Sequence, residues 1–446
     1  MRRATDRTEI HGRSVAARWA PAAARSIAIA AGCLGTIAGT PARADEFFYD
    51  LRVGAGHSDN IFRTSTDPVG ETVLGLGATL DYTYTGSRVE GSLVGDVVYY
   101  EYLEDAFDSN VVGNVVADLR AALVPDTLTW VFGNNFGQAL TDPFEAVTPD
   151  SLENVNYFET GPDLTIRLGS RNSLEVFGRW TDTWYEKNPY NNQGWQGGVA
   201  LARELARGST VALNATIVNA DYSDLPSDND YQIQEYFASY EMTGARTSIV
   251  AELGYRSLEQ YDTTTGGTLL RLQVERTVSA QSTLALQVGS SYGDTASLLQ
   301  DWQEGSPPAG AETPIVATTT VAQDNYAQLD WTTTGQRTRF GLGAGYHDLS
   351  YEGQSELDNH YVQLDGAVSR TIRQSLTVGA QLLWYDYVYD QPGQDYNQLN
   401  AVASISWRPV QRFYVDVEAQ YSDRSGPAEY DEMQWWLWLG YGSRRP

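Results

Sequence analysis

The sequence predicts an all-β fold, a transmembrane antiparallel β-barrel of about twenty strands with short periplasmic turns and long extracellular loops. Three observations predict it. The first is alternation. In residues 360–387, Val362, Leu364, Gly366 and Val368 alternate with Gln363, Asp365 and Ala367. After a turn at residues 370–374, Leu376, Val378, Ala380, Leu382 and Trp384 alternate with Thr377, Gly379 and Gln381. A period of two is that of a strand, and here one face is aliphatic while the other carries groups too polar for hydrocarbon. Soluble sandwiches alternate in the same way, so a single hairpin does not decide between them.

The second observation is the order of the connections. Twenty alternating segments can be marked, at about 46–56, 71–85, 88–102, 110–123, 127–139, 155–168, 173–186, 193–206, 209–222, 231–243, 247–258, 267–278, 282–293, 320–333, 337–350, 360–371, 375–388, 396–407, 411–422 and 433–443. The count falls to 18 if 231–243 and 320–333 are not strands. Nine short connections (TGSR, VPDT, GSRN, ARGS, TGAR, SAQS, TTGQR, TIRQS, RPVQR) alternate with ten long ones, among them EQYDTTTGG, the Pro-rich DWQEGSPPAGAETP region and SDRSGPAEYDE. Every long loop therefore falls on one side, as in an outer-membrane barrel and not in a sandwich.

The third is the distribution of charge and aromatic residues along the same axis. Arginines such as Arg88, Arg171, Arg207, Arg246, Arg337 and Arg373 adjoin the short turns, whereas acids crowd the long loops. Tyr99, Tyr100, Tyr102, Trp184, Tyr185, Tyr222, Tyr255, Tyr292, Tyr346, Trp384, Tyr385, Tyr387 and Tyr421 lie where strands meet the long loops, the expected level of a headgroup belt.

Residues 1–44 read as a removed signal peptide. Arginines spread through residues 1–25 precede the apolar run SIAIAAGCLGTIAG and the small-x-small site Ala42-Arg43-Ala44. Residues 45–446 form the barrel. Sec-type export places it in the outer membrane of a Gram-negative bacterium. The only cysteine, Cys33, falls in the leader, so neither a disulfide nor a thiolate metal site is expected after cleavage. Without the leader, 23 basic residues stand against 55 acidic ones, which excludes nucleic acid as a partner.

Unpaired backbone groups in lipid cost several kcal/mol each, so the strands must close, with residues 434–441 against residues 46–51. The aromatic last strand resembles the terminal signal that barrel-assembly machinery reads in outer-membrane barrels, and departs from it in the closing residues Gly442-Ser443-Arg444-Arg445-Pro446. A barrel of this size encloses an aqueous lumen unless a plug fills it, and no separate plug domain precedes the first strand, although a loop could still fold inward. Charges on the lipid side cost about 2–4 kcal/mol at the midplane, so the strand charges are expected to line the lumen. The candidates are Asp96, Asp118, Arg120, Arg167, Glu175, Arg179, Arg271, Glu275, Asp330, Asp365, Asp416 and Glu418.

No catalytic signature accompanies His57, His347 and His360: neither a Gly-x-Ser-x-Gly element nor His-Glu-x-x-His is present. The acids Asp221, Asp224, Asp228 and Asp230 lack the spacing and glycine of a calcium loop and read as a solvated loop. No enzyme activity, cofactor or metal is expected.

His57-Ser58-Asp59-Asn60-Ile61-Phe62, the turn Val124-Pro125-Asp126, and Gly161-Pro162-Asp163-Leu164-Thr165-Ile166-Arg167-Leu168-Gly169 resemble motifs of a family of outer-membrane β-barrel porins of the type associated with exopolysaccharide synthesis and export loci. The resemblance implies an outer-membrane barrel and a role in polysaccharide passage, and it carries over no catalytic or binding residue. The expected function is a channel for polar solutes taking part in exopolysaccharide export. A general small-solute porin is the first alternative, and a structural or adhesive barrel with a closed lumen the second. Expected partners are outer-membrane lipid and lipopolysaccharide, the assembly machinery, and a polysaccharide.

Overall fold

A computed structural model describes residues 44–304 and 315–443. The signal-peptide reading of residues 1–44, with Cys33, falls outside the described residues except at Ala44. The described chain is a ring of strands: β1 (Ala44–Ser58), β2 (Glu71–Thr85), β3 (Val89–Tyr102), β4 (Asn110–Val124), β5 (Leu128–Leu140), β6 (Leu152–Arg167), β7 (Asn172–Tyr185), β8 (Asn192–Ala206), β9 (Ser209–Tyr222) and β10 (Tyr231–Thr243). It continues with β11 (Thr247–Gln260), β12 (Thr263–Ser279), β13 (Ser282–Gly293), β14 (Ala322–Thr334), β15 (Thr338–Tyr351), β16 (Asn359–Arg373), β17 (Leu376–Tyr389), β18 (Tyr396–Trp407), β19 (Phe413–Ser425) and β20 (Tyr430–Gly442). A helix, α1 (Thr295–Glu304), lies between β13 and β14.

Each strand pairs antiparallel with its neighbours in sequence, and β1 pairs with β20 from Asp50↔Gly442 to Ser58↔Gln434, which closes the barrel. Closure joins the first strand to the last, the condition a sheet must meet to cross a bilayer. Both segments whose strand character was in question are strands, β10 and β14, and the count is twenty. No helix among the described residues is long and apolar enough to cross a membrane.

Two connections expected to be long are short. EQYDTTTGG is mostly strand, and Tyr261 and Asp262 alone turn the chain, at φ 50° and 55°. Two successive positive φ values match the right-handed twist of the flanking strands and allow a two-residue hairpin. SDRSGPAEYDE likewise leaves only residues 426–429 outside β19 and β20. Composition marked both stretches as loops, but cross-strand pairing outweighed local preference.

Register partners on adjacent strands share a face of the sheet. On one face lie the exposed apolar residues: Leu51, Leu76, Leu213, Leu253, Leu382 and Leu437 are each 48–65% exposed. That face is the lipid belt. The other face holds most of the buried side chains and the charges of the strand midsections, while Asp182, Arg203, Arg276 and Arg370 share the lipid face near strand ends. On the inner face Trp436 and Trp438 stack at 4.9 Å and 9° and lie flat on the wall, where Gly54, Gly56 and Gly75 leave room for them. A Cβ on Gly54 would stand 2.4 Å from the Trp438 ring and 2.8 Å from the Leu437 carbonyl. Gly54→Ala is therefore expected to lower barrel stability by about 1–3 kcal/mol, the usual cost of overpacking, read from urea unfolding in lipid vesicles. An unchanged midpoint would show that the indole has room to shift.

Candidate functional site: the lumen and the loops that fill it

The registers carry all twelve sequence-predicted charged residues on the inner face, though they do not form one site. Three are organised by ion pairs with residues the sequence reading did not single out. Arg52 Nη2 lies 2.7 Å from Asp96, whose other oxygen accepts the Thr79 hydroxyl at 2.5 Å. Arg179 reaches Asp163 at 2.5 Å. Arg271 joins Glu235 at 2.8 Å and Glu252 at 2.6 Å. Partly exposed pairs of this kind contribute up to roughly 1 kcal/mol each, so their main effect is to fix side-chain positions along the wall.

The remaining nine are dispersed. Asp118 and Arg120 follow each other along β4, and Glu175 accepts the Ser173 hydroxyl at 3.0 Å. Arg167 lies at the short-turn end, well exposed and 3.9 Å from Asp126. Asp330 and Asp365 flank Gly343 in one cross-strand row, and Asp416 and Glu418 lie in register with Trp438 and Trp436. Glu275 faces Ala285 and Ser248 across its two seams. Parity within each strand could have found Arg52, Glu235 and Glu252, because each lies two or four residues from another inward-facing position.

The aromatic belt needs a correction. Tyr99, Trp184, Tyr255, Tyr346, Trp384 and Tyr421 share the lipid face, but Tyr100, Tyr102, Tyr185, Tyr222, Tyr385 and Tyr387 lie on the inner face and are largely buried. Height along the axis does not determine face. On β16–β18, Tyr361, Tyr385, Tyr387, Tyr389 and Tyr396 form a continuous inner platform with ring centroids 4.7–6.3 Å apart.

The described parts of the segment between β13 and β14, residues 294–304 and 315–321, cover this platform. With strands about 4.8 Å apart and tilted, a twenty-strand barrel is roughly 35–40 Å across, too wide for wall side chains to meet. Yet one buried cluster joins Ala139, Val155 and Tyr185 of one wall to Leu349, Tyr361, Tyr385 and Tyr387 of another, through Leu298, Leu299, Ile315 and Ala317 of the segment. The segment is tied to β5 by backbone: the Leu140 N–H donates to the Ile315 carbonyl at 2.7 Å, and the Ala317 N–H to the Leu140 carbonyl at 2.8 Å. The Gln303 side-chain amide donates to the Phe136 carbonyl at 3.0 Å, where Gly137 leaves space. The Thr295 hydroxyl, fully buried, holds the segment's two ends together through the Val316 and Thr318 carbonyls, 3.0 Å from each.

A second loop, 141–151, reaches across the same mouth. Arg424 on β19 donates to the carbonyls of Glu145 (2.7 Å), Pro143 and Phe144 (3.4 Å each), and its guanidinium stacks 3.8 Å from the Tyr396 ring. Arg63 donates to the Val147 carbonyl at 2.5 Å and pairs with Glu432, while Lys187 holds the Asp150 carbonyl at 2.9 Å. Nearby, Asp358 is held above the usual carboxylate range by burial, an effect partly offset by the hydrogen bond it accepts from the Tyr351 N–H at 2.6 Å. The long-loop end of the lumen is thus filled and roofed by the chain's own loops.

No family model matches the chain, and no curated protein matches it. Among solved structures, a mutant of the ferric enterobactin receptor PfeA from Pseudomonas aeruginosa is similar at 10% identity, covering 89% of this chain and 80% of its own, with a TM-score of 0.47. The siderophore receptor PirA from the same organism is similar at 9% identity, 90% and 81% coverage, and a TM-score of 0.45. A loop-deletion form of OmpT, an outer membrane protein of Vibrio cholerae, is similar at 12% identity, 89% and 98% coverage, and a TM-score of 0.35. At these identities and TM-scores the likenesses decide nothing about solute.

Proposed function

We propose that the chain is an outer-membrane channel for polar solutes whose outer mouth is closed at rest by residues 294–304, 315–321 and 141–151. The observation that carries this reading is the polar, ion-paired inner wall beneath a plug that noncovalent contacts alone hold in place. Solute would diffuse through hydrated space once the plug yields. A saccharide is the favoured solute, because an inner platform of five tyrosines offers flat apolar faces edged with hydroxyls. Participation in exopolysaccharide export extends that reading. Outward-facing Trp435, Leu437 and Leu439 of the closing strand would be what the assembly machinery reads.

The test is single-channel conductance of the refolded chain in a planar bilayer, with and without acidic and neutral oligosaccharides. Brief openings that oligosaccharides block at millimolar levels are expected. Openings indifferent to saccharide would favour a general small-solute porin. A folded barrel without current, even at high voltage, would leave a structural or adhesive surface barrel.

A further inference from the structure

Most seams in the ring are paired over nearly their whole length, but two end early towards the long loops: β4–β5, which stops at Val115↔Phe136, and β12–β13. In the latter the ladder stops at Leu270↔Ser290, while β12 continues outward to Thr263 paired only with β11. Beyond that point β13 leads into α1 and the plug, so it leaves the wall. Glu352, from the loop after β15, bridges the gap by accepting the Thr263 and Thr265 hydroxyls at 3.3 and 3.0 Å.

Arg256 occupies this gap. Its register partner on β10 is Glu235, which places its Cα on the inner face, yet its Nη2 reaches the Ser290 hydroxyl at 2.5 Å. Ser290 pairs with Leu270, which is 47% exposed on the lipid face. The guanidinium therefore lies within the wall, between its lumen face and its lipid face. It is 1% exposed, and its Nε and Nη1 have no hydrogen-bond partner among the described residues. The nearest candidate acid, Glu235, is engaged by Arg271. Buried ions are normally paired, because an uncompensated charge away from water is costly, and the Tyr292 ring, 4.1 Å away and half-buried, offsets only part of that cost.

We propose that this seam is a binding slot for the phosphate of an outer-leaflet glycolipid, with Arg256 as its cation. The slot lies in the long-loop half of the wall, level with the outer leaflet. Leu253, Tyr255 and Leu270, exposed on the lipid face, flank it and would receive the acyl chains. Arg256 Nη1, with the second Nη2 proton that the Ser290 bond leaves over, would donate to two phosphate oxygens, the forked geometry that guanidinium matches best, while the Ser290 hydroxyl, which donates to Asn325 Oδ1, keeps its bond to Nη2 and orients the fork. Tyr292 would swing aside to admit the headgroup. This inference does not rest on the channel reading.

The test is the thermal unfolding midpoint of the full chain in detergent with bis-phosphorylated lipid A, with dephosphorylated lipid A and with inorganic phosphate. Phosphorylated lipid A is expected to raise the midpoint of the wild type, and neither of the others to do so. Arg256→Gln should abolish the shift and Arg256→Lys should reduce it, while Arg271→Gln should retain it. An equal shift with dephosphorylated lipid A, or an undiminished shift in a folded Arg256→Gln chain, would overturn the proposal. A shift with inorganic phosphate alone would overturn the lipid source. The three ligand arms on the wild type decide the matter even if Arg256→Gln does not fold.

Discussion

Excision of residues 296–317 should convert a barrel of brief, low-conductance openings into a steadily open one, with conductance higher by an order of magnitude or more. The deletion is tolerable on geometric grounds. Thr295 Oγ lies 3.0 Å from the Thr318 N–H that donates to it, so a short glycine linker can join the cut ends without displacing β13 or β14. What is lost is Leu298, Leu299, Ile315 and Ala317, the residues that connect the two walls. The inner platform would then face water, and a barrel wider than those of 16–18 strands that already leave an aqueous channel would keep only loop 141–151 across its mouth. A reversible version uses Leu140→Cys with Val316→Cys in a Cys33→Ser chain. These two residues form a parallel bridge, so their Cα atoms are about 5 Å apart, within disulfide range. Oxidation should suppress openings and reductant restore them. Unchanged conductance in a folded, plug-deleted barrel would show that the obstruction lies elsewhere in the lumen.

The sequence expressed the wall of this barrel more clearly than its contents, and the reason is physical. A strand between lipid and water must alternate, so Leu376 through Trp384 declare both strand and lipid face without tertiary information. The cost of charge in hydrocarbon gives Asp96 or Arg271 a side, but not a partner. That Arg271 bridges Glu235 and Glu252 depends on register across three strands, which residue type alone does not set. Tyrosines near strand ends are ambiguous for a related reason. A headgroup belt and a plug platform stand at the same height, and Tyr385 differs from Trp384 only in parity. The inward fold of residues 294–304 and 315–321 was admitted by length and proline content but not specified, since it depends on Gly137 leaving room and on the Leu140 backbone being free to pair. Arg256 carried no signal: a lone arginine at an inward position looks like any other lumen charge until the seam beside it is seen to stop.

Arg424→Ala should release loop 141–151 while leaving the ring of strands folded. The side chain is 2% exposed, and its fork holds three consecutive carbonyls, those of Pro143, Phe144 and Glu145, while its plane stacks on Tyr396. Hydrogen bonds to a charged donor contribute about 1.5–3 kcal/mol each, and a desolvated cation–π contact about 2 kcal/mol. They share one group and do not add, so a net loss of about 2–3 kcal/mol is reasonable, equivalent to a roughly thirty- to hundredfold rise in the fraction of open loops. Cleavage after Glu145 by a glutamate-specific protease should accelerate by about that factor, since cleavage follows the open population when reclosure is fast. Arg424→Lys keeps the charge but cannot span three carbonyls, and should fall between the two. Arg63→Ala removes the Val147 carbonyl contact from this loop, along with the pair to Glu432, and should accelerate cleavage less. If Arg424→Ala leaves the cleavage rate unchanged, the apolar contact of Phe144 with Tyr389, at 5.0 Å, is sufficient to hold the roof, and gating would then depend on the plug alone.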